Sequence, residues 1–322
     1  MPETYFITGA QGCIGSWVVK ALVERGDKPV VFDRSNDSRR LGSIIDKERL
    51  QQVSFIVGDI TNTTEVLSAL ENSGAQRVIH LAGLQVPTCK VDPVAGAMVN
   101  VVGTLNLFEA VKALGLKSVV YASSAAVYGL NDDSSPIDES VACEPTTHYG
   151  VFKQANEGNA KIYYLDHGIS SVGLRPLTVY GVNRDTGLTS DPTKAMKAAI
   201  LGRPFHIRFG GMTDFQYVAD TAATFIACAD QLPEGAAVFN LHGDSVAVAN
   251  FASIINKQVQ RELVTFGGPD IPVAPTMDDA AIRNVIVGLP STPLHGGIEE
   301  TMDLFGHLRD EGRLDTSDID GA

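Results

Sequence analysis

Tyr149-Gly150-Val151-Phe152-Lys153 holds the pair of side chains in this sequence best suited to proton chemistry. Residues i and i+4 share one helix face, so a helix here points Tyr149 and Lys153 the same way. Pro145 and Thr146 can start that helix. A phenol in water has a pKa of about 10, and a neighbouring ammonium favours its ionised form. Tyr149 is therefore a candidate general base and Lys153 the cation that tunes it. Ser124 follows an apolar strand and can hydrogen-bond a substrate oxygen.

A second cluster precedes this pair. Thr8-Gly9-Ala10-Gln11-Gly12-Cys13-Ile14-Gly15 follows the first strand-like run and opens the first helical pattern. Gly9 permits a tight turn, Gly12 lets backbone N–H groups approach a pyrophosphate, and Gly15 lets the helix pack close to the sheet. The helix N-terminus adds partial positive charge for phosphates. Gln11, Cys13 and Ile14 share that turn. Asp33 ends the second strand, where an acid accepts from adenosine ribose hydroxyls and repels a 2′-phosphate. The implied cofactor is NAD, with Arg34 beside Asp33 as the one feature favouring NADP. Asp59-Ile60 and Leu81-Ala82-Gly83 follow at the next strand ends, which line the ligand crevice in this architecture. Taken alone, Asp33 also reads as a solvated acid and Asp59 as a helix cap. A bound nicotinamide cation would favour Tyr149 phenolate further.

The elements that must position these groups alternate. Thr4–Thr8, Pro29–Asp33, Val53–Val57, Arg77–Leu81 and Ser118–Ala122 are short, continuous apolar runs, with helices expected at about 62–73 and 91–115. Such runs have both faces covered, which predicts an α/β fold with a Rossmann doubly wound parallel sheet. We expect an NAD-binding domain over 1–180, with about 212–245 returning to it. A smaller C-terminal α/β substrate lobe is expected over 181–308, its last helix near 294–308, followed by an acidic mobile tail at 309–322.

The sequence resembles the extended short-chain dehydrogenase/reductases, in the NAD-dependent epimerase/dehydratase group, over roughly residues 4–245. Besides the two motifs above, the likeness rests on Asn100-Val101-Val102-Gly103-Thr104-Leu105-Asn106-Leu107, Tyr121 through Gly129, and Leu174-Arg175-Pro176-Leu177-Thr178-Val179-Tyr180-Gly181. It implies that Tyr149 is the acid/base, that Lys153 lowers its pKa and binds the nicotinamide ribose, and that Ser124 orients the substrate. It also implies that Asn100 and Pro176 lie near the cofactor.

Departures from the group's pattern bear on substrate. Ser124-Ala125-Ala126 carries no acid where dehydratases have Asp-Glu, so dehydration is not expected. Thr213 precedes Asp214-Phe215 where nucleotide-sugar enzymes have a diphosphate-binding Arg, and Thr178 stands where they tend to have Asn. Arg184 or Arg208 can substitute as cations, though each also reads as a surface residue. One Arg suits one carboxylate. Arg184 is therefore expected to hold a sugar acid or lactone, with Gln85, His148 and Thr178 lining the same pocket. His148 can equally face solvent. A UDP-sugar 4-epimerase is the alternative within the group, and a non-catalytic NAD-binding regulator the alternative outside it.

Bulk properties exclude other classes. Net charge is −13, with no basic face for nucleic acid. No run is expected to reach the roughly 18 apolar residues of a membrane span. The first five residues lack a basic start and an apolar stretch, so a cytoplasmic protein is expected. Cys13, Cys89, Cys143 and Cys228 are scattered, which argues against a metal site; Cys13 reads as either oxidisable or inertly packed. The helix over about 91–115 is apolar nearly all round and needs cover on two sides. A homodimer is expected through it and the helix at about 147–167.

Overall fold

The computed structural model describes residues 2–129, 135–271, 273 and 275–320. Seven strands form one parallel sheet: β1 Thr4–Thr8, β2 Lys28–Asp33, β3 Ser54–Val57, β4 Arg77–His80, β5 Ser118–Ala122, β6 Ser170–Arg175 and, after three strands elsewhere, β10 Ala236–Asn240. Those three are β7 Thr178–Tyr180, β8 Phe205–Ile207 and β9 Met212–Tyr217; β11 Asp244–Ala247 and β12 Val264–Phe266 complete the set. The large sheet runs β10-β6-β5-β4-β1-β2-β3. The order reverses between β1 and β4, the switch point at which such sheets open a ligand crevice.

Helices Cys13–Arg25 and Val218–Asp230 pack on each other over one face of the sheet, and Thr63–Ser73 packs with Gly103–Ala113 over the other. Tyr5, Ile7, Val120 and Val172 are fully buried beneath the first pair, while Phe6 and Val119 are buried beneath the second, in one core cluster with Phe108 of that pair. β3 departs from the expectation of strands covered on both faces: it is an edge strand, and Phe55 and Val57 are exposed.

The chain leaves the large sheet after β6 and returns to it through helix Val218–Asp230 and β10. Between and beyond these lie two small sheets, β11-β9-β7 and β12-β8. Phe215 stacks on Phe251 at 4.5 Å between centroids, and Tyr180 meets Phe251 edge-on at 5.4 Å. This aromatic group is continuous with the core beneath the large sheet, so one core serves both parts.

The helix expected at about 91–115 is present as Pro93–Ala113. Val86–Val91 ends before Pro93, whose ring cannot continue a helix. Pro93–Ala97 then starts anew with Asp92 capping the Ala95 N–H at 2.9 Å, and a π turn at Met98–Val102 leads into Gly103–Ala113. Contrary to the sequence expectation, the run Pro93–Ala113 is long and apolar enough to cross a membrane, at mean hydropathy 1.5 over its most apolar window; half of that window is buried in the fold.

The segment from 309 to 320 is anchored rather than free. Lys197 Nζ bonds Asp318 at 2.7 Å, Arg203 bonds Asp320 at 2.6 Å, and Ile319 is buried. Asp315, Asp318 and Asp320 are thus paired with bases far away in sequence, while Asp310 and Glu311 pair with Arg309 and Arg313 beside them.

Candidate active site

The glycine turn joins β1 to helix Cys13–Arg25 as its residue types require. Gly9 has φ +67°, and a Cβ there would stand 2.5 Å from the Ala82 nitrogen; one on Gly15 would stand 2.5 Å from the Gly9 carbonyl oxygen. Gly12 is the N-cap and offers no side-chain cap, and the first helical turn carries no acid. The helix therefore presents backbone donors and positive charge to an open crevice. Asp33 ties the turn to β2 by accepting from the Gln11 N–H at 3.1 Å and from the Arg34 N–H at 2.8 Å.

The crevice has a volume of about 780 Å³. Gly9, Gln11, Gly12, Cys13, Ile14 and Gly15 line its floor, and Asp33, Arg34, Asp59 and Ile60 one end. Leu81, Ala82, Gly83, Ser124, Tyr149, Lys153 and Pro176 line the centre. Gln85, Thr178 and Arg184 stand on the remaining wall. This lining suits a dinucleotide: an acid at Asp33, backbone donors along the glycine-rich turn, and the Tyr149–Lys153 pair.

Helix His148–His167 presents Tyr149. Its cap is Thr147, one residue later than expected, whose hydroxyl accepts from the Gly150 N–H at 3.1 Å. Lys153 is 4% exposed; Nζ donates to the Ala122 carbonyl at 2.8 Å and lies 5.5 Å from the Tyr149 ring centroid. Burial lowers the Lys153 pKa to about 8. Burial raises the Tyr149 pKa above the ordinary phenol value, opposed by a hydrogen bond with Ser124 and by the charge of Arg184. In the protein alone desolvation outweighs both, so the ionised form depends on the positive charge that a bound nicotinamide would add.

One side chain expected in the pocket is placed elsewhere. His148 is exposed at the helix start and stacks beside Phe152, because adjacent helical positions point about 100° apart. Asn100 is fully buried behind the wall in the π turn, donating to the carbonyls of Leu84 at 3.1 Å and Gly96 at 3.0 Å. A Cβ on Gly83 would stand 2.7 Å from its unpartnered Oδ1. Thr178 reaches the wall with its hydroxyl already engaged, 2.8 Å from that of the fully buried Thr213. Arg208 is held by Asp191 through two side-chain bonds of 2.8 and 2.7 Å and lies outside the residues that line the crevice. Burial pushes the Cys13 thiol up to about 12, so it packs as a thiol and not as a reactive thiolate.

Arg184 does face the crevice. Nη2 donates to the Thr189 hydroxyl at 3.0 Å, and Nε is buried without a protein partner. Gly187, with φ +102°, lets the Gln85 amide and the Arg184 guanidinium close in around it.

Some positioning pairs join residues that no single motif brings together. Arg175 makes a buried bidentate pair with Glu157 at 2.8 and 2.6 Å and donates to the Tyr128 hydroxyl at 2.5 Å. That pair fastens the helix bearing Tyr149 to β6. Arg40 and Asp185 also line the crevice and bond each other. Neither pair has a local spacing that could reveal it.

A model described as the NAD dependent epimerase/dehydratase family matches residues 5–241. The chain belongs to that family. Among similar members, a UDP-glucose 4-epimerase from Rhizobium meliloti is 30% identical over 75% of this chain and 74% of its own length. UDP-glucuronate 4-epimerase 6 from Arabidopsis thaliana is 33% identical over 54% of this chain, a stretch that spans only 39% of that enzyme. The solved structure of MoeE5 in complex with UDP-glucose and NAD superposes with a TM-score of 0.80 at 27% identity, covering 96% of this chain and 99% of that one. As a family member the chain is an NAD-dependent enzyme of the extended short-chain dehydrogenase/reductase type.

Proposed function

We propose that this enzyme oxidises a secondary alcohol of a small sugar-like acid or lactone, either as a net dehydrogenase or as an epimerase that returns the hydride to the other face. The observation that carries this reading is Arg184: a cation with an unpartnered buried Nε stands in the crevice that holds Tyr149, Ser124 and Lys153. One guanidinium matches one carboxylate through two parallel hydrogen bonds.

NAD, held by the glycine turn, Asp33 and Lys153, supplies the hydride acceptor and, once reduced, the donor. The chain's own residues manage the proton. Ser124 holds the substrate oxygen next to the Tyr149 hydroxyl. Tyr149, once ionised, removes the alcohol proton as the carbonyl forms, and returns it in the reverse step. Asp33 disfavours a 2′-phosphate.

A second reading, a UDP-sugar 4-epimerase, is supported by the activities for which the relatives are named. The closed Thr178–Thr213 wall and the engaged Arg208 argue against a diphosphate clamp there. One experiment decides. Aldonic and uronic acids, lactones and UDP-glucose are each supplied with NAD and followed by reduced-nicotinamide absorbance and product analysis. Turnover of the nucleotide sugar with every acid and lactone inert overturns the first reading in favour of the second.

The apolar faces of the two helical segments expected at a dimer interface support self-association. Val91, Val94 and Met98 are exposed on one segment and Val151, Ile162 and Leu165 on the other. A second copy would cover them.

A further inference from the structure

Arg40, on helix Arg39–Ile44, lies outside every motif of the catalytic set, yet its guanidinium spans two parts of the molecule. Nη1 donates to the Gln11 carbonyl, in the glycine turn, at 3.0 Å. Nε and Nη2 donate to the two carboxylate oxygens of Asp185 at 2.9 and 2.6 Å. Asp185 belongs to the loop that follows β7 and carries Arg184. The two side chains are partly exposed, at 32% and 26%, and both residues line the crevice, which places the pair at its rim.

The loop is built to hold this position. Asn183 sits in the left-handed region at φ +78°, a conformation that Asn tolerates better than most residues. Its amide donates to the Ser16 hydroxyl at 3.1 Å and to the Arg40 carbonyl at 2.9 Å, and accepts from the Ser43 hydroxyl at 2.9 Å. Trp17 Nε1 donates to the Val182 carbonyl at 2.9 Å. The result turns Asp185 toward Arg40 and leaves Arg184 facing the crevice.

We propose that the Arg40–Asp185 pair is a latch over the bound dinucleotide, joining the glycine turn to the substrate-side loop and slowing cofactor release. The proposal rests on the assignment of the crevice to NAD. Release requires that one side of the rim move, and the bidentate pair resists that movement. Arg40, held by Asp185 and Gln11, is a gate residue and not a phosphate ligand.

The test is the release rate of NADH, read by trapping enzyme-bound NADH fluorescence, for the parent, Asp185→Asn, Arg40→Gln and the double variant. The latch predicts release faster by about tenfold in each single variant, with the double no faster than either, as expected for loss of one charge-assisted contact. High salt speeds the parent toward the variants. A rate for Asp185→Asn within about twofold of the parent overturns the latch, since that lies in the range of a negligible surface pair. Slower release there also overturns it, because it would mean that Arg40, once freed, grips the cofactor directly. Absence of saturable NADH binding in the parent overturns the dinucleotide assignment and the latch with it.

Discussion

Thr178 and Thr213 hydrogen-bond each other through hydroxyls 2.8 Å apart, and neither residue has exposed surface. The pair closes the wall between β7 and β9. Replacing one member by Val strands the other hydroxyl, at a cost of about 1–3 kcal/mol, while replacing both leaves no unpaired group. We expect Thr178→Val and Thr213→Val to be destabilised singly and substantially restored together, in a double-mutant cycle by denaturant unfolding. Additive losses would contradict the pairing.

Tyr149→Phe removes the transferable proton and keeps the ring. Loss of turnover on the order of 100- to 10,000-fold is expected, with NADH binding retained. Activity within about threefold of the parent would refute the assigned role.

Lys153 illustrates the tension between catalysis and stability. Its folded pKa of about 8 lies below the ordinary 10.5, so the buried ammonium costs stability in full below pH 8, and that cost fades as pH rises from 8 to 10.5. Lys153→Met is expected to abolish turnover and to stabilise the fold at pH 7 by about 1–3 kcal/mol. Unfolding curves at pH 7 and pH 10 should show the gain shrinking.

His80 titrates in the opposite range. It is buried between the hydroxyls of Thr8 at 2.6 Å and Thr104 at 3.0 Å, and burial lowers its pKa to about 3. The unfolded state takes up the proton first, so stability present above pH 6.5 is lost as pH falls toward 3. Between pH 7 and 5 this single group should account for about 2 kcal/mol. His80→Gln should lose that much less stability over the same interval; equal losses would assign the acid sensitivity to other groups.

For the proposed dimer, Ile162→Glu with Leu165→Glu should yield a monomer by light scattering at micromolar concentration. A parent protein that is already monomeric would dispose of the interface.

The parts of this molecule that could be read from sequence are those set by near-neighbour spacing. Glycines three apart made the turn legible, the i, i+4 relation did the same for Tyr149 and Lys153, and short apolar runs marked the strands. Arg175–Glu157, Arg40–Asp185 and Thr178–Thr213 are separated by 18, 145 and 35 residues. Each pair depends on the topology, so its members look like isolated polar residues until the sheet order is known. The expected long helix formed, as Pro93–Ala113. Its π turn at Met98–Val102 is a local detail that the hydrophobic pattern alone cannot show. The acidic tail looked mobile because its cationic partners Lys197 and Arg203 lie more than a hundred residues earlier.

The return of β10 to pair with β6 has a consequence for how the chain is made. During synthesis, the large sheet stays one strand short until Ala236–Asn240 has emerged, long after the glycine turn and Tyr149 are in place. Until then β6 is an unpaired edge, and helix Cys13–Arg25 lacks its neighbour Val218–Asp230. A nascent or truncated chain ending near residue 180 therefore carries nearly all of the chemistry but exposes an adhesive strand and an uncovered apolar face. Such a fragment should be prone to aggregation and dependent on chaperones, although it contains both catalytic motifs.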